Sequence, residues 1–249
     1  MALLSLSLED PRPWKNAVDA LHAFLSDAVF YFQEDGVHLR AIDPSQVVLV
    51  EMHAPESMFS SYEVKTPPIR VPLNLGDYSR ILARAGAEDV LSMELDDVVL
   101  KTVLERQDGT LRREFVLSLV DVPDNDTEIS RPADVAHVTL AAKVMKEALR
   151  DASLFSSSVL LVARNDALLI EARAQSNFTR TIVRPGPNLN VSTTAEAASR
   201  YSLPILQNIV RYAESDEFLD LKFGTDTPLE VNYKLGPIRM RFYLAHMIL

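Results

Sequence analysis

The 249-residue sequence has no cysteine, one tryptophan and only seven glycines. Without thiols there can be no disulfide framework, no thiolate metal site and no cysteine nucleophile, and the chain suits a reducing compartment. The glycines fall in no GxGxxG, GxxxxGK(S/T) or GxSxG pattern, so phosphate-cradling loops and the nucleophile elbow are absent. Long apolar runs are missing too. Met1 to Leu8 lacks a basic flank and a small-residue cleavage site, and no later run has the length needed to cross a bilayer. A soluble, cytoplasmic protein without a membrane partner is expected.

Catalytic signals are equally poor. None of the five histidines has ligand spacing to another, and His38, His53 and His137 alternate within strands, as surface or structurally satisfied histidines do. The acidic pairs Glu88-Asp89, Asp96-Asp97 and Asp216-Glu217 sit at turns, where carboxylates are ordinarily solvated. No catalytic residue, metal or cofactor is expected. With 25 Lys and Arg against 35 Asp and Glu, the net charge of -10 opposes nucleic acid as a partner when taken in bulk.

What is present is a repeated pattern. From Val29 to Val50 three apolar runs follow one another, divided by Glu34-Asp35-Gly36 and by Asp43-Pro44-Ser45-Gln46. Asp-Gly between alternating apolar residues signals a hairpin, so three antiparallel strands are predicted. Val159 to Ile170 repeats strand, polar turn and strand, and Ile81 to Leu95 aligns without a gap onto Ile209 to Phe223, as helix, turn and strand. A repeat of this length implies two copies of one domain rather than a solenoid. Four helices are predicted over 11–25, 74–86, 140–152 and 202–213, with Gly86 stopping the second and Pro204 opening the fourth. Asp121 to Asp134 has five acidic residues and two prolines and reads as a linker. The domains are therefore 1–120 and 135–249, joined by 121–134, in the α+β class.

Charge is unevenly spread. The four helical stretches hold eight Lys or Arg against four Asp or Glu, leaving 17 against 31 elsewhere. A solvated helix face often carries Lys and Arg, but four such helices in an acidic chain suggest one basic surface.

Several runs carry a resemblance: Leu39-Arg40-Ala41-Ile42-Asp43-Pro44-Ser45-Gln46-Val47-Val48-Leu49-Val50; Val71-Pro72-Leu73-Asn74-Leu75 leading into Ser79-Arg80-Ile81-Leu82; Pro228-Leu229-Glu230-Val231-Asn232-Tyr233-Lys234; and Phe242-Tyr243-Leu244-Ala245. The sequence resembles the sliding DNA clamp family, proliferating cell nuclear antigen, from the first helix to the C-terminus, and its archaeal members more than its eukaryotic ones. The resemblance implies a non-enzymatic replication and repair factor. Two clamp-type domains per chain, with antiparallel sheets outside and two helices each inside, would assemble as a trimer into a ring around duplex DNA, at the nucleoid. Lys15, Arg80, Arg84, Lys143, Lys146, Arg150 and Arg211 would face the phosphates loosely, without reading sequence.

The resemblance also implies partners that dock through peptide motifs: DNA polymerase, clamp loader, flap endonuclease and DNA ligase. Their pocket would comprise Ile42, Val47, Leu49, Pro228, Tyr243 and Ala245, with Gln46 at its edge and Ile129 of the linker completing it. Subunits would meet strand to strand, Thr110 to Leu117 against Ala174 to Val183. Leu111, Arg112, Arg113 and Phe115 would lie on one side, Phe178, Arg180 and Ile182 on the other. A specialised subunit of a heterotrimeric clamp, a binding module unrelated to DNA, and a hydrolase using paired carboxylates are the alternatives.

Overall fold

A computed structural model describes residues 2–96, 98–123 and 136–248. The first half runs β1 (Leu4–Leu8), α1 (Arg12–His22), β2 (Asp27–Gln33), β3 (Gly36–Ile42), β4 (Val48–Pro55), β5 (Ser61–Val64), β6 (Ile69–Asn74), α2 (Leu75–Leu82), β7 (Asp89–Asp96), β8 (Val99–Arg106) and β9 (Arg112–Ser118). The second half repeats the order: β10 (Ala136–Ala141), α3 (Ala142–Ala152), β11 (Ser158–Arg164), β12 (Ala167–Ala174), β13 (Asn177–Val183), β14 (Leu189–Ser192), β15 (Ala197–Ser202), α4 (Leu203–Val210), β16 (Phe218–Phe223), β17 (Leu229–Leu235) and β18 (Ile238–Leu244). β6 leads directly into α2, and β15 into α4, at one common offset, so the repeat seen in the sequence is a repeat of structure. From the linker region 121–134, only residues 121–123 lie within the described residues.

Spatial clustering divides the chain into two units. The first is Met1–Pro44 with Val50–Asp126 and Leu235–Met240; the second is Ser45–Leu49 with Thr127–Lys234 and Arg241–Leu249. In the first unit one sheet has the order β5-β1-β7-β8-β9, and β2 lies between β3 and β6. Pro72 falls in β6 opposite Val29. Proline is tolerated there because β6 pairs with β2 alone and need not donate on its other side. In the second unit one sheet has the order β13-β12-β11-β15, and β10 lies between β14 and β16, which pairs with β17.

The core of the first unit is built on α1 and α2. Pro13 sits in the first turn of α1, where its missing N–H costs nothing, and Trp14, Ala17, Val18 and Leu21 follow at helical spacing, all buried. Trp14 Nε1 donates to Tyr78 Oη at 2.9 Å, and the tyrosine hydroxyl donates to the Met93 sulfur at 2.7 Å. Two polar atoms are thus satisfied inside an apolar core, where leaving either unpaired would cost about 1–3 kcal/mol. Complete burial pushes the Tyr78 phenol far above its ordinary pKa. In the second unit Tyr201 meets Phe223 edge-on at 6.4 Å, and Tyr233 Oη donates to Ile209 O at 2.8 Å.

Both helices of the first unit are shorter than their apolar spacing predicts. α2 opens on Asn74, whose side chain accepts from Asp77 N, but ends at Leu82 instead of reaching Gly86. Arg84 N and Ala85 N bond to Ile81 O and Leu82 O three residues back, tightening the last turn. Gly86 N then donates to Asp89 Oδ2 at 2.7 Å, so a side chain of the next strand terminates the helix. α1 closes at His22, and Leu25 is buried from outside the helix.

The β2–β3 hairpin also differs in detail from its sequence signal. Gln33 pairs with Gly36, so Glu34 and Asp35 form the turn and Gly36 is already a strand residue. Its φ is +130°, and a Cβ there would lie 2.1 Å from Ala54 O and 2.7 Å from Glu56 N. Glycine is required by close backbone approach as well as by dihedral.

Candidate functional site

On α3 the buried face is Ala142, Met145, Ala148, Leu149 and Ala152. Lys143 and Arg150 lie exposed on the other side, with Lys146 half-buried between them. Lys146 Nζ donates to Arg211 O at 2.9 Å and to Ala213 O at 2.5 Å, just beyond the end of α4. An ammonium suits the carbonyl end of a helix, and burial lowers its pKa. Arg211 itself is exposed, with its guanidinium 5.6 Å from the Tyr212 ring.

The first unit offers Arg80, whose side chain is 81% exposed although it pairs with Asp77 on the same helix, and exposed Arg84 just past the end of α2. Lys15 differs. Its Nζ lies 2.7 Å from Asp19 Oδ2, and the other oxygen of that carboxylate accepts from Ser79 Oγ. Lys15 and Lys146 are therefore turned to internal partners, whereas Arg84, Lys143, Arg150 and Arg211 lie exposed, as does Arg80 despite its pair with Asp77.

The strands read as an assembly surface end their sheets: β9 closes one and β13 the other. Val116 is 62% exposed, and Leu111, Phe178 and Ile182 are exposed as well. Phe115 and Leu117 alternate with Val116 and are half-buried. Arg180 pairs with Glu171 at 2.6 Å while its guanidinium lies over the Phe178 ring. Arg112 bridges Glu105 and Glu114; Lys101 first, then Arg112, holds the Glu114 carboxyl below its ordinary pKa.

Arg113 points the other way. It pairs with Asp89, whose side chain is 3% exposed, and donates to Arg84 O at 2.9 Å. Its charge compensates a buried carboxylate inside its own unit, a role the run Arg112-Arg113-Glu114 did not reveal. Arg106 N donates to Leu111 O at 2.9 Å, and the register runs unbroken from Glu105↔Arg112 to Val99↔Ser118. Antiparallel bonding alternates; the backbone of Leu111, Arg113 and Phe115 thus faces β8, and that of Glu114 and Val116 faces outward.

Among the residues read as a peptide pocket, those of the second unit lie on and beside its C-terminal segment. Ala245 N donates to Val47 O at 2.9 Å, and Met247 N to Arg200 O at 2.8 Å. Val47, Ala245 and Pro228 are half-buried, while Leu49 and Tyr243 are 2% and 6% exposed. Pro228 follows Thr227, whose carbonyl accepts from Tyr201 Oη and Ser199 Oγ. Gln46 is exposed and takes φ +58°, a left-handed conformation that turns the chain ahead of β4. Ile42 lies in the first unit, on a cavity of about 180 Å³ with Val29, Tyr31, Arg40, Val122 and Pro123. Ile129 lies outside the described residues.

One cluster was missed in the sequence. Asp35, His38 and His53 bring ligand atoms within 4.8 Å of one another, because the β2–β3 turn and β4 meet in space although the residues have no ligand spacing in the chain.

Comparison with known proteins agrees with this architecture. Residues 3–128 match the family model "Proliferating cell nuclear antigen, N-terminal domain". The chain is 33% identical over 212 residues to the DNA polymerase sliding clamp of Thermococcus gammatolerans, covering 84% of each. The crystal structure of PCNA from Thermococcus kodakaraensis superposes with a TM-score of 0.92 at 26% identity, over 98% of this chain and 100% of that one. The fold is shared as well with Proliferating Cellular Nuclear Antigen from Entamoeba histolytica, at a TM-score of 0.89 and 19% identity over 100% of each chain. With the family's N-terminal domain matched over half of the chain and a relative of this identity matched across most of it, the chain belongs to the proliferating cell nuclear antigen family of DNA sliding clamps.

Proposed function

We propose that this sliding clamp closes, as three copies, into a ring around duplex DNA and holds DNA polymerase and other replication and repair enzymes there without catalysing a reaction itself. The observation that carries the reading is the set of exposed cations on and just past the helices, Arg80, Arg84, Lys143, Arg150 and Arg211, in a chain of net charge -10. Solvated cations on long side chains attract phosphate without a fixed geometry, so the duplex is held and not read. An acidic remainder repels DNA from the rest of the surface. The chain would work in the cell interior, at the nucleoid.

The test is retention on circular against linear DNA across a salt series. Replacing Arg80, Arg84, Lys143, Arg150 and Arg211 by Ala together is expected to weaken retention and flatten its salt dependence, by roughly one unit of slope or less for each phosphate no longer neutralised. Circular dichroism and sedimentation should match the parent. An unchanged slope in a variant that still assembles would remove the helices from the DNA surface.

Assembly is proposed to join β9 of one copy to β13 of the next, a head-to-tail pairing of two sheet ends. Val116→Pro deletes an outward-facing N–H while leaving the bonds to β8 in place, and is expected to shift the protein from trimer to monomer in sedimentation. Proline at Leu111 would act on the β8 side instead. A trimer unaffected by Val116→Pro, or a parent that is itself a stable monomer, would sink this assembly.

Partner enzymes are proposed to dock a short peptide, bearing a glutamine, an aliphatic residue and two aromatics, against Val47, Leu49, Pro228, Tyr243 and Ala245, with Gln46 at the rim. Clamp loader, flap endonuclease and DNA ligase would share this surface with the polymerase.

A further inference from the structure

We propose that Asp35, His38 and His53 form a binding site for one zinc-type divalent cation, at the turn of the β2–β3 hairpin and the neighbouring β4. Asp35 Oδ1 lies 2.8 Å from His38 Nε2, and Asp35 Oδ2 lies 3.6 Å from His53 Nε2. All the ligand atoms are within 4.8 Å of one another. Donors about 2.0–2.1 Å from a tetrahedral zinc ion stand about 3.3 Å apart, so the widest separation here exceeds that of a formed site by only about 1.5 Å.

The backbone here is already fixed. Tyr62 Oη donates to Gln33 O at 2.8 Å and to Gly36 O at 3.0 Å, while Glu56 N donates to Asp35 O at 3.0 Å. The two imidazoles lie against each other, with centroids 4.5 Å apart and planes tilted by 36°. A second observation points to a ligand: His53 Nε2 is buried and makes no hydrogen bond, its Asp35 Oδ2 neighbour standing just too far away at 3.6 Å. A buried imidazole nitrogen is ordinarily satisfied, and a metal ion between it and the Asp35 carboxylate would satisfy it.

The donor set is two imidazoles and one carboxylate, which suits zinc and leaves a fourth position for water. Arg239 bears electrostatically on His53 and opposes a dication, and Asp35 is the one anionic ligand. Binding weaker than that of a closed four-ligand structural site follows. An ion held here would clip the hairpin turn to β4.

Calorimetry with Zn²⁺ on the full chain, first stripped with a chelator, is the direct test. One ion per chain is expected, with a Tm rise of about 5 °C at saturation that chelation reverses. Co²⁺ should give the intense visible absorption of a four-coordinate ion. His38→Gln and His53→Gln should each weaken binding beyond the ~10–100-fold that loss of an outer-shell partner costs. NMR of the parent needs no variant: Zn²⁺ should shift the imidazole signals of His38 and His53. Three results would each overturn the site: no stoichiometric binding to the folded parent, shifts confined to His22, His137 or His246, or binding retained in the double variant.

Discussion

Gly36→Ala is expected to destabilise the first unit by about 4 kcal/mol or more, at the far end of what single substitutions do. Two causes add. A φ of +130° is outside what an L side chain adopts without strain, and the new methyl would sit 2.1 Å from a backbone carbonyl oxygen. Neither Ala54 O nor Glu56 N can yield cheaply, because both belong to backbone that fixes the hairpin against β4. Urea unfolding should show the loss, with Tm lower by roughly 10 °C or more. Stability within about 1 kcal/mol of the parent would mean that β4 can retreat, and that the approach is incidental.

The second large effect is expected at Tyr243. Its ring is 6% exposed at the end of β18, and an aromatic ring in an apolar setting is the usual hot spot of a peptide site. Tyr243→Ala should weaken a Gln-x-x-aliphatic-x-x-aromatic-aromatic peptide roughly thirtyfold, about 2 kcal/mol. The same change removes a core ring, at a cost on the order of 3 kcal/mol in stability. Tyr243→Phe keeps the ring and should keep most of the affinity; Val47→Ala, at a half-buried position, tests the same surface if the alanine variant at 243 does not fold. Calorimetry decides, and a peptide bound as tightly by Tyr243→Ala as by the parent would place the pocket elsewhere.

Periodicity made much of the architecture legible in the sequence. Alternation from Val29 to Val50 and its echo from Val159 predicted paired strands, and the ungapped match of Ile81 to Leu95 with Ile209 to Phe223 predicted a duplicated domain; both patterns stand in the element order. Less legible was whatever depends on a partner distant in sequence. Gly86 looks like a helix stop, yet α2 ends at Leu82 because the carboxylate of Asp89 captures Gly86 N. Gly36 resembles a turn glycine, but the crowding that demands it comes from Ala54 and Glu56.

The candidate surfaces divide in the same way. Counting charges identified the helices as basic without distinguishing Arg80, open to solvent, from Lys146, bonded to two carbonyls. Arg112 and Arg113 are neighbours in sequence, and only strand alternation against a buried Asp89 turns the second inward. His38 and His53 have no ligand spacing; the register that joins them exists only once β3 and β4 lie side by side.

The bond between Trp14 and Tyr78 has a spectroscopic side. Trp14 is the chain's one tryptophan, it is 1% exposed, and its indole N–H is bonded within the core of the first unit. Tryptophan emission therefore records the melting of that unit alone, while backbone circular dichroism sums both. Two units built on one plan are thus optically distinct without a label, and the gap between the two traces measures directly how far the duplicated halves melt together.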